Sequence, residues 1–313
     1  MKHILRQPWV WSFIAALAVW LITISYTHGQ GAGEILTAAL SFATFTIIVG
    51  LGQMLVITAG PGNVDLSIPA TITLSGVVAM KVMDTNEAML VPGILAALLV
   101  SLIVGIFNYA LIRLLRIPPI IATLSSSFVV LSTAIFTGHG IRIKPPPSLA
   151  DFATARIIGI PWITILVLVL SIFIWLMMKR SIYGRTLEAI GQNPRAAWLA
   201  GLATGRTRFL TYIFSALLAG VCGILLSGFS GGAALNMGEE FLLASIATVI
   251  IGGTSVAGGK ASVPGIWGAA LFMYLLVTML NTLGAEAGVR LIFTGLVIIL
   301  VISIAGGGEE SRR

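Results

Sequence analysis

Few side chains in this 313-residue chain have types and spacing that suggest chemistry. Asp65 is the carboxylate set most deeply between apolar runs, in the phrase Gly62-Asn-Val-Asp-Leu-Ser67. In the centre of a bilayer it would cost about 2.5 to 3.5 kcal/mol on insertion scales, so it is expected at an interface or facing a wet cavity. It either caps a helix or touches a solute or a gating neighbour. His3, His28 and His139 fall at ends or in loops, and the one cysteine, Cys222, lies inside an apolar run. That excludes a disulfide framework and a thiolate metal site, and no nucleophile stands beside a base. Gly259-Lys260 superficially resembles a phosphate-binding loop, but that loop needs Gly where Thr254 stands and Ser or Thr where Ala261 stands. The chemistry left is recognition by amides and hydroxyls. Gln53, Asn63, Ser67, Asn108, Ser125, Ser126 and Ser127 lie inside or at the ends of apolar runs and, with Asp65, are the candidates to line a solute pathway. Such groups suit a sugar, although hydroxyls in apolar helices often bond their own backbone. The lack of Lys or Arg at mid-span argues against anionic cargo and, with the lack of His, against a proton relay.

The second constellation runs from Tyr183 to Leu202, a polar and basic island between two apolar runs. Gly184 is expected to open a short helical phrase that contains Arg185 and Glu188 and that Gly191 closes. Asn193 then suits an N-cap, Pro194 the first helical position, and Gly201 the left-handed stop. The helix between them carries Arg195, Ala196, Ala197 and Trp198. It is too short to be stable alone and must dock against something.

The elements that hold these residues follow from composition. Hydrophobic residues make up 58% and charged residues 9%, with a mean hydropathy of +1.05, so the chain is an all-α integral membrane protein. Nearly continuous runs such as Ile165 to Met178 exclude the alternation of a barrel strand. Ten spans are expected: Pro8 to Tyr26, Glu34 to Thr58, Val64 to Val82, Met89 to Leu115, Pro119 to Phe136, Pro161 to Met178, Arg208 to Ser227, a short piece from Phe241 to Gly252, Val263 to Leu280, and Val289 to Ile304. The first is read as a retained helix and not a cleaved signal, because it is long and no small-residue site comes after it. The Gly138 to Ile160 connection, with Pro145, Pro146 and Pro147, is expected to be stiff and extended. Gly60, Pro61 and Gly62 break the path between the second and third spans; Asn63 and Asp65 are placed to cap the third span, and Pro69 to strain its first turns.

With ten spans and a cytoplasmic amino terminus, five of the 18 Lys and Arg fall outside, at Lys81, Arg142, Lys144, Arg156 and Arg290, and the others fall inside. This bias puts both termini and the island in the cytoplasm. The net charge of +7 therefore reads as topology and not as a nucleic-acid footprint. Many of the 35 glycines sit inside spans with other small residues, which allows close helix packing.

Three phrases, in order along the chain, resemble a family. Gly62-Asn-Val-Asp-Leu-Ser67, Gly184-Arg-Thr through Ala189-Ile-Gly-Gln-Asn-Pro-Arg-Ala-Ala197 to Gly201, and Ile251-Gly-Gly-Thr-Ser through Gly259 are similar to the ribose-type sugar permeases (ribose, xylose, arabinose or galactose) of bacterial ABC importers. The resemblance runs from about Ser41 to Ile304. Where the family has Gly-Gly-Asn-Ile-Asp and Ser-Val-Gly, this chain has Pro61 for the first Gly and Ile68-Pro69 for Val-Gly. The resemblance implies one polytopic permease domain over residues 1–313, in the bacterial inner membrane. It implies pairing with an identical or sister permease, a cytoplasmic ATP-binding subunit and a periplasmic solute-binding protein. ATP-Mg would be bound by that subunit and no cofactor by this chain. Residues 183–202 would be the coupling segment, with Gly184, Arg185, Glu188, Gly191, Asn193, Pro194, Arg195, Ala196, Ala197 and Gly201 as its contact residues. A secondary transporter or channel working without an ATPase is the alternative, and a membrane enzyme a third.

Overall fold

A computed structural model of the chain describes residues 7–138, 144–286, 288–297 and 299. The basic head Met1 to Arg6, with His3, lies outside the described residues, as do His139, Arg142 and the end of the last expected span. The helices are α1 (Pro8–Tyr26), α2 (Ala32–Thr58), α3 (Ile68–Met83), α4 (Leu90–Leu114), α5 (Pro119–Thr137), α6 (Pro147–Thr154), α7 (Trp162–Arg180), α8 (Ile182–Gln192), α9 (Pro194–Leu199), α10 (Thr204–Phe229), α11 (Phe241–Ile251) and α12 (Val263–Thr282), then α13 (Gly288–Val297). Each of the ten expected apolar segments overlaps a helix, the last only as far as the described residues reach. Seven of these helices are long and apolar enough to cross a membrane, while α3, α11 and α13 are shorter. The 16 residues of α3 reach about 24 Å, less than the hydrocarbon thickness of about 30 Å.

The second half of α2 is fully enclosed, every residue from Ile47 to Thr58 being buried. A helix apolar on all sides belongs at the centre of a bundle. It packs against α10, α11 and α12, and α3 packs against α4, α5 and α10. Small residues let α10 approach its neighbours. A Cβ on Gly223 would sit about 3.1 Å from the Gly76 nitrogen and closer still to the Ile72 carbonyl oxygen, and Gly52 in α2 lies against the Ser215 backbone. Close backbone approach gives dispersion contact that larger side chains would prevent, and in lipid this replaces the hydrophobic effect as the force between helices. The outward faces of α1, α4, α5 and α7 carry exposed Leu17, Leu95, Phe128 and Phe173, as lipid-facing surfaces require.

Several expectations are corrected. The third span does not begin at Val64, because residues up to Ser67 form turns and α3 starts at Ile68. Pro69 does not strain α3, since it lies in the first turn, where its missing N–H is not needed. The proline run is extended only as far as Pro146. Pro147 is the first residue of α6, its fixed φ already helical, and beyond α6 comes a hairpin of β1 (Arg156–Ile157) and β2 (Ile160–Pro161). That hairpin turns on Ile158 and Gly159, both at positive φ, as a tight two-residue loop demands. Finally, α10 starts at Thr204, one turn before the expected Arg208.

Candidate functional site

The α2–α3 break converts a chain direction into a polar site. Once α2 ends at Thr58, Gly60 (φ 124°) and Gly62 (φ 74°) take backbone conformations that side chains resist. The turn they form aims Asp65 inward, where it is 1% exposed. Its carboxylate accepts the Ser67 N–H (3.0 Å) and the Ser67 hydroxyl (2.6 Å) on one oxygen, and the Ser215 hydroxyl (2.8 Å) on the other. Asn108 of α4 donates its amide to the Ser67 hydroxyl at 2.7 Å. Gln53 of α2 accepts the Asp65 N–H on its amide oxygen at 3.3 Å. Asp65 and Ser67, at the start of α3, thus link α2, α4 and α10 in one hydrogen-bond network. Hydrogen bonds gain strength in a buried site of low dielectric.

Of the predicted pathway residues, Gln53, Asp65, Ser67 and Asn108 are brought together. Asn63 does not cap α3. Its amide donates back to the Gly60 carbonyl (3.0 Å), and its oxygen accepts the Tyr212 hydroxyl at 3.4 Å, because the left-handed residues turn it toward the break and not along α3. Ser126 is buried on α5, and its hydroxyl has no partner among the described residues. Ser125 is exposed on the outer face of α5, about 100° around the helix from Ser126, and does not join the group. Ser127 bonds the Leu124 carbonyl, its own backbone. The Gln53 amide nitrogen and the Asn108 oxygen are buried and likewise unpartnered. Sequence reading missed Ser215 and Tyr212, which lie about 150 residues from the break, and Thr123, whose hydroxyl joins α5 to Val64 and Leu66. The available signal for Ser215 was a buried carboxylate that needed more donors than its own turn supplies.

The basic island folds as α8 and α9. Ser181, not Gly184, opens α8. Its hydroxyl accepts the Gly184 N–H at 3.1 Å, and Gly184 sits against the Met178 backbone where a Cβ has no room. The expectation that Gly184 and Gly191 punctuate the helix is corrected accordingly. Gly191 lies inside the last turn, and α8 stops because Asn193 is extended (φ −157°). Asn193 caps α9 as expected, accepting the N–H groups of Arg195 (3.1 Å) and Ala196 (3.0 Å), with Pro194 in the first turn. Gly201 is left-handed (φ 77°), and the Leu202 N–H reaches the Ala197 carbonyl at 3.1 Å, the bond of a Schellman ending. One face of this pair is anchored. Ala197 and Leu187 are buried, Tyr183 shares a 2.9 Å hydrogen bond with Thr211, and Glu188 pairs with Lys179 at 3.6 Å. Burial raises the Tyr183 hydroxyl pKa, with the Thr211 hydrogen bond opposing it. The other face is open, with Arg185, Arg195, Ala196, Trp198 and Leu199 all exposed.

Glycines join the two parts. The Gly259 N–H donates to the Thr58 carbonyl at 3.0 Å. A Cβ on Gly191 would collide with both of those atoms, one on Gly258 would lie 2.7 Å from the Gly60 nitrogen, and one on Gly259 2.6 Å from the Gln192 Cγ. The end of α8, the end of α2 and the α11–α12 connection therefore touch backbone to backbone.

Comparison with known proteins agrees with this architecture. A family model described as branched-chain amino acid transport system / permease component matches residues 35–302. The autoinducer 2 import system permease protein LsrD of Photorhabdus laumondii is 29% identical over 304 residues, covering 95% of this chain and 91% of the relative. The protein of the same name from Enterobacter sp. strain 638 is 29% identical, covering 82% and 79%. No solved structure matches. Polar groups gathered at a helix break inside a lipid-facing bundle, together with a family match over most of the length, leave one assignment: this chain belongs to that permease-component family and is a multi-pass membrane protein.

Proposed function

We propose that this chain is the permease subunit of an ABC importer that passes a neutral, polyhydroxylated, sugar-like solute inward through the bundle. The relatives above are named as import system permeases. The cargo class rests on one observation, the Asp65 network. Its carboxylate is already satisfied by hydroxyls, and the groups left open beside it are an amide N–H of Gln53 and an amide oxygen of Asn108. A zwitterionic or anionic solute would need a cation that the network lacks, whereas a sugar hydroxyl both donates and accepts. In this reading Gln53, Asn63, Asp65, Ser67, Asn108 and Ser126 line or gate the path.

The open face of α8 and α9 is the coupling surface for a cytoplasmic ATP-binding subunit, which holds ATP-Mg. A second permease chain and a periplasmic solute-binding protein complete the importer. The chain sits in the bacterial inner membrane with both termini cytoplasmic. ATP binding closes the partner's halves, α8 and α9 move with them, and the glycine junction carries that motion to the α2–α3 break without slack. The break then opens on alternate sides. The partner shifts this equilibrium only as far as it binds the two states with different free energy, so a rigid link is physically useful.

The test is purification from the native membrane in mild detergent, and then reconstitution. We expect an ATP-binding chain in stoichiometric amount, and uptake of a neutral sugar into proteoliposomes that needs ATP. A chain that emerges alone and moves solute without ATP overturns the importer reading.

A further inference from the structure

A cavity of about 520 Å³ opens at the foot of α4, beside α9 and the start of α10, and plays no part in the pathway. Its lining includes Tyr109, Arg113, Arg116, Trp198, Leu202 and Arg208, and no carboxylate. Three arginines lining one space bring like charges together and favour an anion between them. Among the described residues, the carboxylates at this end of the bundle are already engaged, Glu188 with Lys179 and Asp65 with Ser67 and Ser215. The Arg208 Nε is buried and has no hydrogen-bond partner among the described residues. Arg116 is held at φ 56°, a conformation that non-glycine residues adopt at a cost. Arg113, in the last turn of α4, is explained in part by the helix dipole, but Arg116 and Arg208 lie outside that turn.

We propose that this cavity binds a phosphate group, and that its usual source is the headgroup of a net-anionic phospholipid. Guanidinium forks match phosphate oxygens in pairs, which suits phosphate better than a single point charge would. Depth favours the lipid over a soluble ion. The arginines flank the end of α4, where Leu114 and Leu115 are 76% and 63% exposed, and Trp198 is 65% exposed at the rim. Arg113 and Arg116 are exposed beside those leucines, while Arg208 is half-buried; exposed apolar side chains and cations at one level describe the boundary where headgroups lie. Because α9 forms one wall, an occupied cavity would brace the coupling surface.

The experiment uses the full chain in mixed micelles of phosphatidylglycerol and phosphatidylcholine, with retained lipid read by native mass spectrometry. Arg208→Gln is compared with the double variant Arg113→Gln/Arg116→Gln, and Arg156→Gln at the opposite end serves as control. We expect selective retention of phosphatidylglycerol, falling about fivefold per arginine removed and unchanged in the control. If Arg208→Gln fails to fold, the double variant decides. If retention is unaffected but millimolar inorganic phosphate raises the melting temperature of wild type and not of the variants, the site takes a soluble phosphate and the lipid source is wrong. If neither lipid nor phosphate distinguishes the variants, the phosphate proposal fails; loss of a co-purifying ATP-binding chain in that case assigns the arginines to a partner's carboxylates.

Discussion

Asp65 shows how a single side chain can hold several helices. Truncating it to Ala would strand the Ser67 and Ser215 hydroxyls in a closed site, at about 1 to 3 kcal/mol for each unsatisfied group. We expect Asp65→Ala to lower the melting temperature of the purified chain clearly, and Asp65→Asn to lower it less, because an amide oxygen still accepts from one side of the network. Equal melting for the Ala variant and wild type would mean the network holds nothing together. Gly191 is the complementary case, a residue defined by absent atoms. In Gly191→Ala the new methyl has no room against Gly259 and Thr58, and overpacking of this kind costs about 1 to 3 kcal/mol. We expect loss of ATP-driven transport with the protein still inserted, and substantial transport retained by this variant would argue against a rigid junction.

At the scale of elements, α8 and α9 are short helices made definite by their ends. Ser181, Asn193 and Gly201 satisfy the terminal N–H and C=O groups that helices of 11 and 6 residues would otherwise leave unmet. A capped α9 can transmit a push, whereas an uncapped one would fray. Pro194→Gly combined with Arg195→Glu loosens the start of α9 and reverses a charge on its open face. We predict that the double variant inserts normally and abolishes uptake in proteoliposomes. Normal transport by a correctly inserted double variant would remove α9 from the coupling path. The break between α2 and α3 is the other decisive element, because it shortens α3 and leaves Asp65 buried among helices.

For the whole molecule, helix connectivity sets α8 and α9 at one end of the bundle and α6 with the β1–β2 hairpin at the other. The proposed orientation puts the former in the cytoplasm. In a Cys222→Ala background, Ser148→Cys in intact spheroplasts should react with an impermeant maleimide, and Trp198→Cys should react only after permeabilisation. The reverse pattern would invert the topology. In the native chain Cys222 itself should resist the reagent until the protein is denatured, since it is fully buried against the Phe45 carbonyl.

The amino-acid sequence by itself determined the membrane class, the positions of the ten apolar helices, the chain break at Gly60 to Gly62, and the caps at Asn193 and Gly201. Each of these depends on neighbours a few residues apart: the apolar run a span needs, the φ a glycine permits, the donor a capping side chain reaches. Local reading failed at Pro69, Pro147 and Gly184 because the same residue type either breaks or begins a helix, and only the surrounding backbone chooses. Tertiary structure alone decided that Ser215 completes the Asp65 network, that Ser125 turns away from it, and that Gly60, Gly191 and Gly258 meet. Those pairings join residues 150 positions apart at Asp65 and Ser215 and 198 apart at Gly60 and Gly258. They depend on which helices can approach closely, a property of surfaces packed together that no local periodicity encodes.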